Sequence, residues 1–190
     1  MNDFLMYFFV IITIMMVVNK KLENKDIEKV KSTIDNRIYL VRKLPDSNKA
    51  ANKLAEINQS VLKLIDNLDK EKEGTDRLIK RYNPDNLSET EPGAKYTSYS
   101  VNKGEQISIC LRKSDESGFE ENNIVMFVVI HELAHVMTKT IGHDETFWKN
   151  MKYLLEEAEK IGLYIPVDYS IHNVDYCGME VKSTPYDFKK

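Results

Sequence analysis

His131 and His135 stand four residues apart in "HELAH", and Glu132 lies between them. On a helix that spacing stacks the two imidazoles on one face, one turn apart, so both reach a single ion. Imidazole is a borderline ligand that suits Zn²⁺. Glu132 lies about 100° further round the helix. It can therefore meet a water beside the ion without becoming a ligand. The pattern places two ligands and a general base on one rigid element. The surrounding residues sharpen this reading, because "IVMFVVI" runs straight into "HELAHV" and the helix is apolar almost all round. Two histidines and a glutamate buried there without a partner would cost several kcal/mol. A bound metal removes that objection.

A catalytic zinc site takes three protein ligands and keeps one position open. Three of the four histidines fall within "HELAHVMTKTIGHDETFW", and His143 is the third. Gly142 precedes it and permits a sharp turn at the helix end. His143 is therefore expected as the third ligand. His172, Glu156 and Glu157 are the alternatives. Asp144 could orient a ligand's second ring nitrogen, or cap the next helix; both roles suit it. Tyr164, Tyr169, Tyr176 and His172 are candidates for stabilising an oxyanion. Three neutral imidazoles leave the metal its full charge to activate water and polarise a carbonyl, with Glu132 moving the proton. The expected chemistry is zinc-dependent peptide hydrolysis on a protein or peptide substrate.

The elements that must position these groups can be traced along the chain. "VKSTIDNRIYLVRKLP" reads as a hairpin, Val30 to Ile34 and Ile38 to Arg42, turning at Asp35-Asn36. Pro45 breaks the chain, and Asp46 or Ser47 starts a helix whose stripe is Leu54, Ile57, Val61, Leu64 and Leu68. "DRLIKRYNP" suggests a short helix, and "DNLSETEPGAK" has loop composition. A second hairpin, Tyr96 to Val101 and Gln106 to Arg112, carries one buried and one polar face. Asn122 or Asn123 caps the histidine helix, expected from Ile124 to about Thr138. A last long helix follows Gly142, burying Phe147, Met151, Leu154, Leu155, Ala158 and Ile161. The tail from Tyr164 reads as extended and loop-rich.

The 190 residues suit one domain with a real core. The expected fold class is α+β, small antiparallel hairpins packed on helices, over residues 26–190. Residues 1–19 stand apart. Phe4 to Val18 has Thr13 as its sole polar member and is expected to be a single-pass membrane anchor. Lys20, Lys21 and Lys25 follow it and would keep the main domain in the cytosol. The net charge of −3 advertises no nucleic-acid partner. Cys110 and Cys177 form no CxxC site; reduced thiols are the default expectation, and a single bridge between them is the alternative that only geometry decides.

"HELAH" followed by "GHDETFW" resembles the WLM family, the Wss-like metalloproteases related to SprT-type proteases. "EEAEKIGLY", "VDYS", "YCGM", "LPD", "KRYNPDNLSE" and "YTSYSVNKGE" extend the similarity to WLM-like proteins of large DNA viruses and protists. The seven residues between His135 and His143 exceed the five typical of the family. The resemblance implies a zincin-like fold with His131, His135 and His143 on zinc and Glu132 as base. It also implies an edge strand beside the active-site helix that takes substrate as an added strand. Gln106 to Arg112 is expected in that role, because it directly precedes the helix. Relatives degrade proteins crosslinked to DNA, and nothing in this composition carries that role over. Two other functions compete: an inactive zinc protein serving in assembly, and a membrane-anchored interaction protein using the helix at 47–72. Glu132 argues against the first and the histidine cluster against the second.

Overall fold

The computed structural model describes residues 7–13, 15, 26–115 and 117–188. Strands β1 (Ile27–Lys31) and β2 (Ile38–Arg42) form the first antiparallel hairpin. β2 has the expected span, and β1 both begins and ends earlier than the expected Val30 to Ile34. Asn36 takes the turn at a φ of 61°, a left-handed conformation that a short polar side chain tolerates. Asp35 reinforces it, accepting from the Arg37 N–H at 3.1 Å and the Tyr39 hydroxyl at 2.6 Å. Helix α1 (Ser47–Asn67) buries Leu54, Ile57, Val61 and Leu64 as its periodicity demands. Its buried Asn58 also bonds the hydroxyls of Tyr39 and Tyr82 and the Pro84 carbonyl. Helix α2 (Thr75–Arg81) follows.

The main sheet differs from the expected pair of antiparallel hairpins. Leu87–Glu89, expected as loop, forms β3 in the middle of a five-stranded sheet. With β4 (Tyr99–Val101) and β5 (Gln106–Ile109), the order is β1-β2-β3-β5-β4. β3 runs parallel to both neighbours, so the sheet is mixed. "LSE" hides its role because two of its residues are polar. Their burial is compensated by partners distant in sequence. The Glu89 carboxylate accepts from Arg112 Nε and from the Arg42 N–H, both at 2.7 Å. Ser88 Oγ lies 3.0 Å from Ser108 Oγ. Asp46 takes the other side of the Arg112 guanidinium at 2.6 Å. A buried charge is tolerable when paired and hydrogen-bonded in this way.

β5 therefore has neighbours on both sides. Ser108, Cys110 and Arg112 are as buried as Ile107, Ile109 and Leu111, so the expected polar face does not exist. The expectation that this strand holds substrate at a sheet edge is removed by its central place. Among the described residues the edge strands are β1 and β4, the latter antiparallel to β5.

Helix α3 (Asn122–Met137) is apolar around almost its whole circumference and lies in the core. It packs on α2, β4, β5 and helix α4 (Glu145–Lys160). The tail adds a small separate hairpin, β6 (Val174–Tyr176) and β7 (Met179–Val181), turning at Cys177 and Gly178. Cys177 is disulfide-bonded to Cys110 across a Cα–Cα distance of 6.5 Å, which corrects the expectation of two reduced thiols. Spacing in sequence does not reveal whether two cysteines meet in space. Of the expected anchor, Tyr7 to Thr13 are helical and mostly exposed. Residues 4–6, 14 and 16–18 lie outside the described residues. Among the described residues, no helix is long and apolar enough to cross a membrane.

Candidate active site

α3 carries His131 and His135 on one face, and the chain then turns at Gly142, whose φ is 89°. A side chain disfavours that conformation, and glycine supplies it. The turn returns His143 to the helix face. His143 Nε2 lies 3.1 Å from His135 Nε2 and 3.1 Å from His131 Nε2. The structure thus brings together the three histidines singled out in the sequence, and they are the metal-capable group among the described residues. Glu156 and Glu157 instead pair with Lys152 and Lys160 on α4. His172 lies outside the cleft around the histidines.

Hydrogen bonding alone does not account for three converging ring nitrogens. A neutral imidazole has one N–H, so His143 Nε2 can serve only one of its two neighbours. A tetrahedral zinc with nitrogen ligands at 2.0–2.1 Å places those nitrogens about 3.3 Å apart. The observed spacing is close to that, and the donor set fits the ion.

Phe147 lies beneath the cluster. It is fully buried, and its ring centroid is 4.9 Å from that of His131, 4.4 Å from His135 and 4.6 Å from His143. Asp144 sets up this helix start. One carboxylate oxygen accepts from the Phe147 N–H at 2.9 Å, and the other from the Thr140 hydroxyl at 2.6 Å. Of its two expected roles, capping is the one the structure shows. Asn150 donates to Thr138 Oγ1 at 2.9 Å and ties α4 to the end of α3.

Burial, and then the neighbouring histidines, push the His131 imidazole down to about 3. Burial, followed by His143 and Lys103, pushes His135 down to about 4. Both are held neutral, the form that ligates. Glu132 is 5% exposed, and burial pushes its carboxyl up to about 7. The Ser100 hydroxyl and N–H oppose that shift by donating to it. A divalent cation held by the histidines would pull it back down. Ser100 lies on edge strand β4, so the general-base candidate touches an open edge of the sheet. No local feature of the sequence marks Ser100 for this contact.

A cleft of about 1060 Å³ runs past the site, lined by His131, Glu132, His135 and His143, by β4 and its turn, and by residues 179–183. The oxyanion candidates Tyr164, Tyr169 and Tyr176 are buried and do not line the cleft, the first two packing against Phe127. Tyr96 and Tyr99 line the cleft instead.

A WLM domain matches residues 33–167. The chain belongs to the WLM domain family. It is 32% identical over 178 residues to an uncharacterized protein of Acanthamoeba polyphaga mimivirus, covering 90% of each chain. A second uncharacterized relative, from Invertebrate iridescent virus 6, is 35% identical over 82 residues, 42% of this chain and 44% of that protein. Among solved structures the fold is similar to Wss1 from Saccharomyces cerevisiae. The TM-score is 0.50 at 25% identity, covering 64% of this chain and 89% of the solved Wss1 chain. This WLM domain is metalloprotease-like and carries a three-histidine cluster.

Proposed function

We propose that the chain is a zinc-dependent endopeptidase. The observation that carries this is the convergence of three imidazole Nε2 atoms beside a buried carboxylate. His131, His135 and His143 would hold the ion. When bound, zinc supplies Lewis acidity to a substrate carbonyl and to water. The chain's own groups do the rest. Phe147 fixes the three rings, so the ligands are preorganised. Glu132 takes the proton of the attacking water and passes it to the leaving amine. Ser100, beside the Glu132 carboxylate, favours its charged form, the form that accepts the proton. An extended substrate lies along β4, whose outer side carries no strand among the described residues.

The test is metal analysis by mass spectrometry on the full chain, with cleavage of an unfolded protein. Near one zinc per chain is expected, lowered in His143→Ala. Glu132→Gln should keep its zinc and lose cleavage by at least about 100-fold. A folded, zinc-loaded wild type that cleaves nothing overturns the proposal. So does a Glu132→Gln variant that cleaves normally.

A further inference from the structure

The cleft is lined unevenly. β4, its turn and the residues just before it bring Ser98, Ser100, Asn102 and Lys103 to it, with Tyr96 and Tyr99 beside them. Three other segments bring large apolar side chains that remain open to solvent. Ile141, from the loop before His143, is 93% exposed; Trp148, from the first turn of α4, 38%; and Met179, on β7, 47%. Exposed apolar residues scattered singly are ordinary, but several sharing one concave site mark a place for an apolar ligand group. Here the apolar surface starts at the candidate ligands themselves. The Trp148 ring centroid is 5.6 Å from that of His143, and Ile141 is separated from His143 only by Gly142.

We propose that Ile141, Trp148 and Met179 form a subsite for one large apolar side chain next to the scissile bond. This subsite selects extended polypeptides by that side chain. The inference deepens the peptidase reading and rests on it. Two features match an extended peptide: the polar strand edge suits its backbone, and the apolar trio suits a side chain beside it. The occupant is a leucine- or phenylalanine-sized side chain of the substrate. Exclusion of water from three apolar groups at once is what would favour it over serine or aspartate.

The chain contains a single tryptophan, Trp148, so its fluorescence reports occupancy of this cleft directly. The zinc-loaded full chain carrying Glu132→Gln is titrated with blocked alanine-rich peptides that differ only in a central Leu, Phe, Ser or Asp. Leu and Phe peptides should shift Trp148 emission and bind about tenfold or more tighter than the Ser peptide. Ile141→Ser and Met179→Ser, added singly to that background, should weaken the Leu peptide and leave the Ser peptide nearly unchanged, with zinc content retained. In parallel, wild-type products from an unfolded protein are read for the residues flanking each cut. Equal or undetectable binding of Leu and Ser peptides overturns the subsite. Cleavage at sites without apolar enrichment overturns it too, while leaving the peptidase intact. Leu-selective binding without cleavage by the wild type supports the subsite and overturns the peptidase reading.

Discussion

The cleft is built in part from two segments held by different means. One is α3 with the loop that returns His143. α3 is embedded in the core, and its candidate ligands are fixed by packing against Phe147. Every group involved lies between residues 131 and 147. The other is the β6–β7 hairpin, which brings Met179. Strands of three residues cannot stand alone in water. This hairpin is held by the Cys110–Cys177 bond, by the Cys177 N–H donating to Glu120, and by the Tyr176 hydroxyl. The ligand segment is thus local and packed, and the hairpin is distant in sequence and stapled. The difference predicts that damage to one should leave the other standing.

Phe147→Ala tests the packed segment and should have the largest effect. It opens a cavity against all three histidine rings, at a cost of about 3–5 kcal/mol. Zinc affinity should fall with it, because the ring orientations lose their platform. Thermal unfolding and zinc titration check this. A variant that binds zinc as tightly as wild type would show that Phe147 only fills space. The double substitution Cys110→Ser, Cys177→Ser tests the stapled segment. Opening a tie across 67 residues should cost on the order of 3 kcal/mol in denaturant unfolding. Zinc content should not change. Loss of zinc from this variant would mean that the two segments are not independent.

The same difference explains what could be read in the sequence. His131, Glu132 and His135 declare themselves because helical spacing alone brings them together, and Gly142 marks the turn that returns His143. α1 and α4 follow from their apolar periodicity. β3 could not be read, since the burial of Glu89 depends on Arg112 and that of Ser88 on Ser108. Misplacing β3 also hid that β5 is central and that β4 is an edge. Ser100 reaches Glu132 only through that arrangement. The disulfide and the buried tail tyrosines were hidden for the same reason. Each contact joins residues tens of positions apart, with no period or motif to mark it.

Tyr176→Phe is the mildest and most specific break. Its hydroxyl donates to the Cys110 carbonyl at 2.7 Å, the Cys110 N–H donates to Ser98 Oγ at 3.0 Å, and Ser98 Oγ lies 2.9 Å from the Tyr176 hydroxyl. These bonds close a ring that joins the hairpin to the residue just before β4. Removing the hydroxyl leaves a buried carbonyl short of a partner, costing about 1–2 kcal/mol. The cost should depend on pH. Burial pushes the Tyr176 phenol above its ordinary value of 10.0. A group whose folded pKa is raised contributes its stability below the unfolded value and loses it as pH rises through the folded one. The gap between wild type and Tyr176→Phe should therefore be constant up to about pH 10 and shrink above it. Other buried tyrosines are present in both proteins and cancel in the difference. Denaturant unfolding of the pair at pH 7, 9 and ~10.5 checks this. A gap that stays constant to the highest pH would mean that the phenol is not confined by the hairpin as the structure describes.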